Sequence, residues 1–301
     1  MTEYPTEEFC RPAGQLTPEE LRAAAASGTV LQDTALAFDT QRRLHFNLGG
    51  RPALMPYEEC ALGAAEGEVR DIAILTRVGR PTCFVVERLG DGAEEPALLS
   101  RRAAQQRCRT EYLDRLLPGC IIPCVVTHIE PFGAFCDVGC GISALLPIDC
   151  LSVSRIQSPA DRVAVGQQLL CAVQSRDEQG RLVLTLRELL GSWAENAARF
   201  CPGETVVGIV RSVEEYGVFV EIAPNLAGLA EAAEDLCPGQ PVSVYIKSIL
   251  PEKMKIKLVI VNRRLNAPLR FEPRYFITEG RLERWVYSTP GSRKRIETVF
   301  G

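Results

Sequence analysis

Two short stretches of one design constrain this chain more than any other feature. They are Phe132-Gly-Ala-Phe-Cys136 and Tyr216-Gly-Val-Phe-Val220. Side chains of a strand alternate between its two faces. In the later copy Val218, Val220 and Ile222 therefore share one face, and Phe219 and Glu221 the other. In the earlier copy Ala134, Cys136 and Val138 share a face, and Phe135 sits beside Asp137. A Phe on the polar face gains nothing from the core beneath the strand. Two such strands suggest outward aromatic platforms for something flat, and nucleobases are flat.

The surroundings of each copy repeat as well. Residues 119–188 read as five strands: 120–129, 132–138, 142–148, 168–175 and 182–187. Residues 203–262 give five more, at 205–213, 216–222, 227–230, 242–250 and 254–261. Leu48-Gly-Gly-Arg-Pro-Ala-Leu-Met-Pro56 matches Val138-Gly-Cys-Gly-Ile-Ser-Ala-Leu-Leu-Pro147 with one residue inserted, so residues 28–105 read as a degenerate first copy. In that copy strands are expected over 43–49, 51–56, 72–76 and 83–86. Three such units predict a mainly β fold of tandem five-stranded Greek-key barrels of OB type, joined by short helices. Residues 1–27 form an N-terminal helical segment. Its helix over 17–27 carries a capping box from Thr17 to Glu20 and a stop at Gly28. Residues 106–118 and 191–201 read as a helical connector and a helical linker, the latter capped by Ser192 and Glu195, with Trp193 as a packing anchor. The tail, 263–301, reads as a basic β-hairpin. It turns near Glu279-Gly280, between 275–278 and 282–287, and is joined by 296–300.

Composition sets the function classes. The chain has 301 residues, 46% of them hydrophobic, enough for several packed cores. No apolar run approaches the roughly 18 residues of a membrane span. The acidic N-terminus lacks the basic and apolar regions of a signal peptide, so a cytoplasmic protein is expected. The 12 cysteines then read as reduced thiols, most of them in strand cores. Cys120-x3-Cys124 and Cys136-x3-Cys140 depart from the usual structural-zinc spacings, and no metal or other cofactor is expected. Net charge is −4, but residues 247–301 hold 13 Lys or Arg against 5 Asp or Glu, including all five lysines of the chain. A local basic surface on an acidic body follows.

The third unit carries the richest candidate site. Lys253, Lys255 and Lys257 alternate with Met254, Ile256 and Leu258, which places three ammonium groups on the outer face. Tyr245 and Lys247 point outward on the preceding strand, and Tyr216 and Phe219 on the second. Bases stack on rings and lysines neutralise phosphates, so this combination suits single-stranded nucleic acid. The plainer alternative is a charged strand that discourages edge pairing. In the second unit Phe132 and Phe135 with Arg181, Thr185 and Arg187 make a weaker version, opposed by Asp137. In the first unit His45 replaces the outward aromatic, and a structural or protein-docking role is expected. With two histidines in different units, no phosphate-binding loop and no metalloprotease helix, no catalytic set emerges.

Val125-Val-Thr-His-Ile-Glu-Pro-Phe-Gly-Ala-Phe-Cys-Asp-Val-Gly139, closed by Arg181-Leu-Val-Leu-Thr-Leu-Arg187, resembles the RNA-binding repeat of bacterial small-subunit ribosomal protein S-one. Residues 203–221 resemble a second copy. The resemblance is close over 117–190 and 202–262 and weaker over 28–105. It implies OB-fold barrels that bind single-stranded RNA. The contacts it implies come from the aromatics Phe132, Phe135, Tyr216 and Phe219 and from the basic residues Arg181, Arg187, Lys255 and Lys257. The family's His on the third strand is absent: Leu146-Pro147 and Ala230-Glu231 stand there. The expectation is a non-catalytic protein that binds single-stranded RNA (mRNA) in translation, with the small ribosomal subunit as a further partner. The alternatives are a scaffold docking on ribosome or RNA polymerase, or an accessory factor in RNA processing.

Overall fold

The computed structural model describes residues 4–91, 95–233, 235–263, 265 and 271–301. It forms two compact units, Met1–Leu116 with Asp137–Ser143, and Leu117–Cys136 with Ala144–Gly301.

The first unit is built on one sheet. Its strands are β1 (Arg11–Pro12), β2 (Leu31–Thr34), β3 (Ala37–Phe38), β4 (Arg43–Leu48), β5 (Arg51–Pro56), β6 (Pro81–Arg88) and β7 (Ala97–Ser100), in the order β1-β2-β6-β7-β5-β4-β3. Strands β2 and β3 are the two halves of one bent segment. The break falls at Ala35, which bridges to Val78, and at Leu36, whose N–H donates to the His45 carbonyl. Leu44, Phe46, Met55, Phe84 and Leu99 fill the core. Helix α1 (Pro18–Ser27) starts at its capping box and ends at Gly28 in the left-handed region.

The strand expected over 72–76 is instead helix α2 (Asp71–Leu75). Its apolar residues imitate a strand, but only Ile74 is buried; Ile72 is 61% exposed and Leu75 42%. Strand β6 pairs with both β2 and β7 and so takes the place in the sheet that residues 72–76 do not fill. Helix α3 (Arg101–Glu111), capped by Ser100, buries Ala104, Gln105 and Cys108 within this unit.

In the second unit, β8 (Ile121–Glu130), β9 (Gly133–Asp137), β10 (Ser143–Pro147), β11 (Gln168–Arg176) and β12 (Leu182–Thr185) close a five-stranded barrel, with helix α4 (Ile148–Leu151) after β10. Helix α5 (Trp193–Ala197), opened by the Ser192 and Glu195 capping box, leads to the next barrel. That barrel is β13 (Thr205–Glu214), β14 (Gly217–Ala223), β15 (Leu226–Ala230), β16 (Pro241–Leu250) and β17 (Lys255–Asn262). Both barrels pair their third and fifth strands in parallel, at Leu145 with Val183 and at Leu229 with Lys257. The second and third repeats thus form five-stranded OB-type barrels in tandem, the second and third barrels, while the first repeat, expected as a five-stranded barrel, lies in the seven-stranded sheet.

The aromatic-Gly opening of the second strand has a steric cause. A Cβ on Gly133 would sit 2.6 Å from the Leu146 carbonyl oxygen, and one on Gly217 would sit 2.4 Å from that of Ala230. Only glycine lets these backbones approach.

The tail differs from expectation. Its hairpin pairs β18 (Arg284–Val286) with β19 (Glu297–Val299), and residues 275–278 form no strand. Trp285 and Tyr287 enter the third barrel's core cluster beside Trp193, and Phe300 packs with Ala172 and Leu189. Apolar anchoring, not the Glu279-Gly280 turn, sets the register.

Candidate nucleic-acid interface

Strand β14 is where the third barrel's surface begins. Val218 and Val220 are fully buried, so Phe219 projects outward, flanked across the ladder by Ser212 and Leu229. Leu229 in turn lies opposite Lys257 on β17. Phe219, Leu229 and Lys257 thus run side by side across three strands. Tyr216 is 69% exposed and meets Phe219 edge to face, with ring centroids 6.2 Å apart at 87°. These residues line a groove of about 610 Å³ together with Lys247, Lys255 and Glu231. Lys247, Lys255 and Lys257 are exposed, and none pairs with a carboxylate among the described residues. Free ammonium groups beside a ring and an aliphatic floor can neutralise phosphates while a base stacks.

Two residues expected in this site lie outside the groove. Lys253 ends the tight turn Pro251–Lys253, and Met254 is left-handed, so the alternation that sequence suggested begins only at Lys255. Tyr245 is outward but lies opposite Thr205 and Val259, away from the Phe219 ladder. Leu229 was missed by sequence reading. Its register opposite Phe219 was the available signal.

The second barrel repeats the ring pair. Phe132 is 55% exposed and meets Phe135 at 6.1 Å and 90°. A third ring joins them: His128 stacks on Phe135 at 6.4 Å and 22°, and its Nε2 lies 2.7 Å from Glu130 Oε1. Sequence reading passed over His128, although its place four residues before Phe132 sets it on the adjoining strand.

The cations expected here are occupied. Arg181 is exposed and donates to Asp177 at 2.7 Å. Arg187 donates to Glu188 at 3.0 Å, to the Asp149 carbonyl at 3.0 Å and to Thr298 at 3.4 Å. Thr185, expected outward, is buried and donates to the Cys150 carbonyl at 3.3 Å. Its hydroxyl also donates to the buried Glu188 carboxylate, so the turn Arg187–Leu190 covers the outward face at the end of β12.

Asp137 does not face the platform. It is buried in the first compact unit, where it accepts from the N–H groups of Glu7, Gly139 and Gly141 at 2.7, 2.8 and 3.0 Å. Burial, with the Glu7 charge nearby, pushes its carboxyl up to about 6. Glu221, at the matching place after Phe219, is likewise buried, between Arg162 and Arg211. In the first unit His45 takes the platform position and lies 2.8 Å from Asp39. No group of three His, Cys, Asp or Glu side chains among the described residues could hold a metal.

Residues 118–187 match the family model of the S1 RNA binding domain. The matched stretch spans the second barrel, β8 to β12. Small ribosomal subunit protein bS1 of Staphylococcus aureus is 32% identical to the chain over 199 residues, covering 60% of this chain and 50% of that protein. The bS1 protein of Leuconostoc lactis is 30% identical over 185 residues, covering 56% and 43%. The chain therefore spans about half the length of the curated relatives it matches. Among solved structures, a multidomain protein with nucleic acid binding domains from Streptococcus pneumoniae is 14% identical, covering 80% of this chain and 75% of that one, with a TM-score of 0.26. No helix among the described residues is long and apolar enough to cross a membrane.

Proposed function

We propose that this protein binds single-stranded RNA without catalysis, in translation in the cytoplasm, and that the third barrel is its main binding surface. The observation that carries this reading is the row Phe219, Leu229, Lys257 across β14, β15 and β17, bordered by unpaired Lys247 and Lys255. A groove of this kind takes a base on the ring and the adjoining phosphates on the lysines. The second barrel, an S1-type domain by family match, adds a site rich in rings and poor in free cations. Messenger RNA and the small ribosomal subunit are the partners proposed, from the bS1 relatives. The test is titration of the whole chain with labelled single-stranded RNA and with a duplex of equal length. Single strands should bind and the duplex should not, because only unpaired bases offer a free face. No binding of single strands at low salt would overturn the proposal.

A further inference from the structure

We infer that Glu130, held by His128, makes the second barrel selective for bases with an exocyclic amino group, guanine foremost, over uracil. This rests on the reading of that barrel as a single-strand RNA site.

The geometry is specific to this barrel. The His128 imidazole extends the floor made by Phe135 and Phe132, and its Nε2 contacts Glu130 Oε1 at 2.7 Å. The Glu130 carboxylate is thereby fixed at the border of the stacking surface, with its side chain still 41% exposed. The third barrel also has a carboxylate there, Glu214, but Ser212 stands where the second barrel has His128. Glu214 has neither a hydrogen bond from its side chain nor an ion pair among the described residues. Both barrels thus carry the acid, and only one holds it against a ring.

A carboxylate only accepts hydrogen bonds. A base stacked on Phe135 lies parallel to the floor and above it, with its Watson–Crick edge, where single-strand readers take their contacts, turned to the border where the Glu130 side chain can rise to meet it. Guanine offers N1–H and the N2 amino group side by side. Adenine and cytosine each offer one amino group beside an acceptor. Uracil offers N3–H between two carbonyl oxygens, which the carboxylate repels. The lysines of the third barrel are donors and provide no such discrimination.

The test uses the full chain carrying Phe219→Ala and Lys255→Ala, so that the second barrel is read against a silenced third. Uridine oligomers with one central G, A, C or U are titrated. Guanine should be preferred over uracil by about fivefold or more, the value of one well-made contact to a base edge. Glu130→Gln should bring the ratio to within about twofold, because an amide both donates and accepts. His128→Ser should do the same, and the double variant should be no worse than either single one. Equal affinities across the four oligomers, or a preference that survives Glu130→Gln, would overturn the inference while leaving the barrel an RNA site. Loss of all binding on silencing the third barrel would remove the second barrel as an RNA site, and the inference with it.

Discussion

Glu221 Oε1 lies 2.6 Å from Arg162 Nη2, and both side chains are fully buried. The pair ties the loop between β10 and β11 of the second barrel to β14 of the third. Arg211 takes the other oxygen, with its Nε 2.7 Å from Glu221 Oε2. It reaches there because the register of β13 shifts between Val210 and Ser212, a bulge that re-aims the side chain between them. Arg162 also donates to Ser152 at 2.9 Å, yet its Nε and Nη1 are buried without a hydrogen-bond partner among the described residues. Burying these charges is offset only while all partners are present.

The first prediction concerns that triad. Glu221→Ala takes the carboxylate from two buried guanidinium groups, leaving Arg211 only a looser pair with Asp161 at 3.5 Å and Arg162 none, and should cost about 3–5 kcal/mol, more than Arg162→Ala, which leaves Glu221 its second arginine. Both tryptophans of the chain, Trp193 and Trp285, lie in the third barrel's core, so tryptophan fluorescence in urea reports on this barrel. Equal midpoints for Glu221→Ala and the parent would show that the buried pair is not holding the barrels.

A second prediction separates stacking from charge. Phe219→Ala should weaken single-strand RNA binding by about 1–3 kcal/mol without changing its salt dependence. With three groove lysines engaged, the log–log salt slope should be roughly −2, and Lys255→Ala with Lys257→Ala should bring it to about −0.7. A slope untouched by losing both lysines would move the phosphate path elsewhere. Arg187→Ala should lower stability and leave the slope alone, since Arg187 is bonded to Glu188, Asp149 and Thr298.

The third prediction is a pH dependence in the first unit. Burial pushes the Glu7 carboxyl up, but Arg101 and Arg77 outweigh it and hold it at about 2, below its ordinary 4.5. A depressed carboxylate contributes stability above its unfolded value, and that contribution fades as pH falls through the folded one. Glu7→Gln should therefore cost on the order of 3 kcal/mol at pH 7. The difference from the parent should shrink steadily between about pH 4.5 and 2. Hydrogen exchange of β6 amides measures it, because Glu7 also accepts from Cys83 N–H at 3.3 Å. A pH-independent difference would mean that Glu7 acts by packing alone.

The fourth prediction assigns the tail to the fold. Trp285→Ala should destabilise the third barrel by about 3–5 kcal/mol, the usual cost of emptying a buried aromatic site. Its Arg284 and Arg295 are both paired with Glu297, so replacing them should alter RNA affinity little. Limited proteolysis of the Trp285 variant should release the segment after residue 280. Resistance equal to the parent would show the tail to be a passenger.

Much of this was legible in the residues. Alternation of two placed Val218, Val220, Ile256 and Leu258 inside and Phe219, Lys255 and Lys257 outside, because a strand in a small barrel has one dry face and the pleat leaves no other choice. The aromatic-Gly-x-Phe motif marked the second strand of both barrels, because a backbone approach there excludes a Cβ.

Alternation says which side a residue takes, not what covers that side. Asp137 and Glu221 were outward by pattern and are buried in fact, each covered by a segment distant in sequence: Glu7 for the one, Arg162 for the other. Arg187 lost its freedom to Thr298, and the basic tail became a core element through Trp285 and Tyr287. Local sequence fixed the barrels and the inward and outward faces, because those follow from the pleat and from each strand's own side chains. Only the tertiary structure decided which outward residues meet water, because that depends on contacts between residues far apart in the chain. Phe219 and the lysines of its groove stayed exposed; Glu221, two residues along the same face, did not.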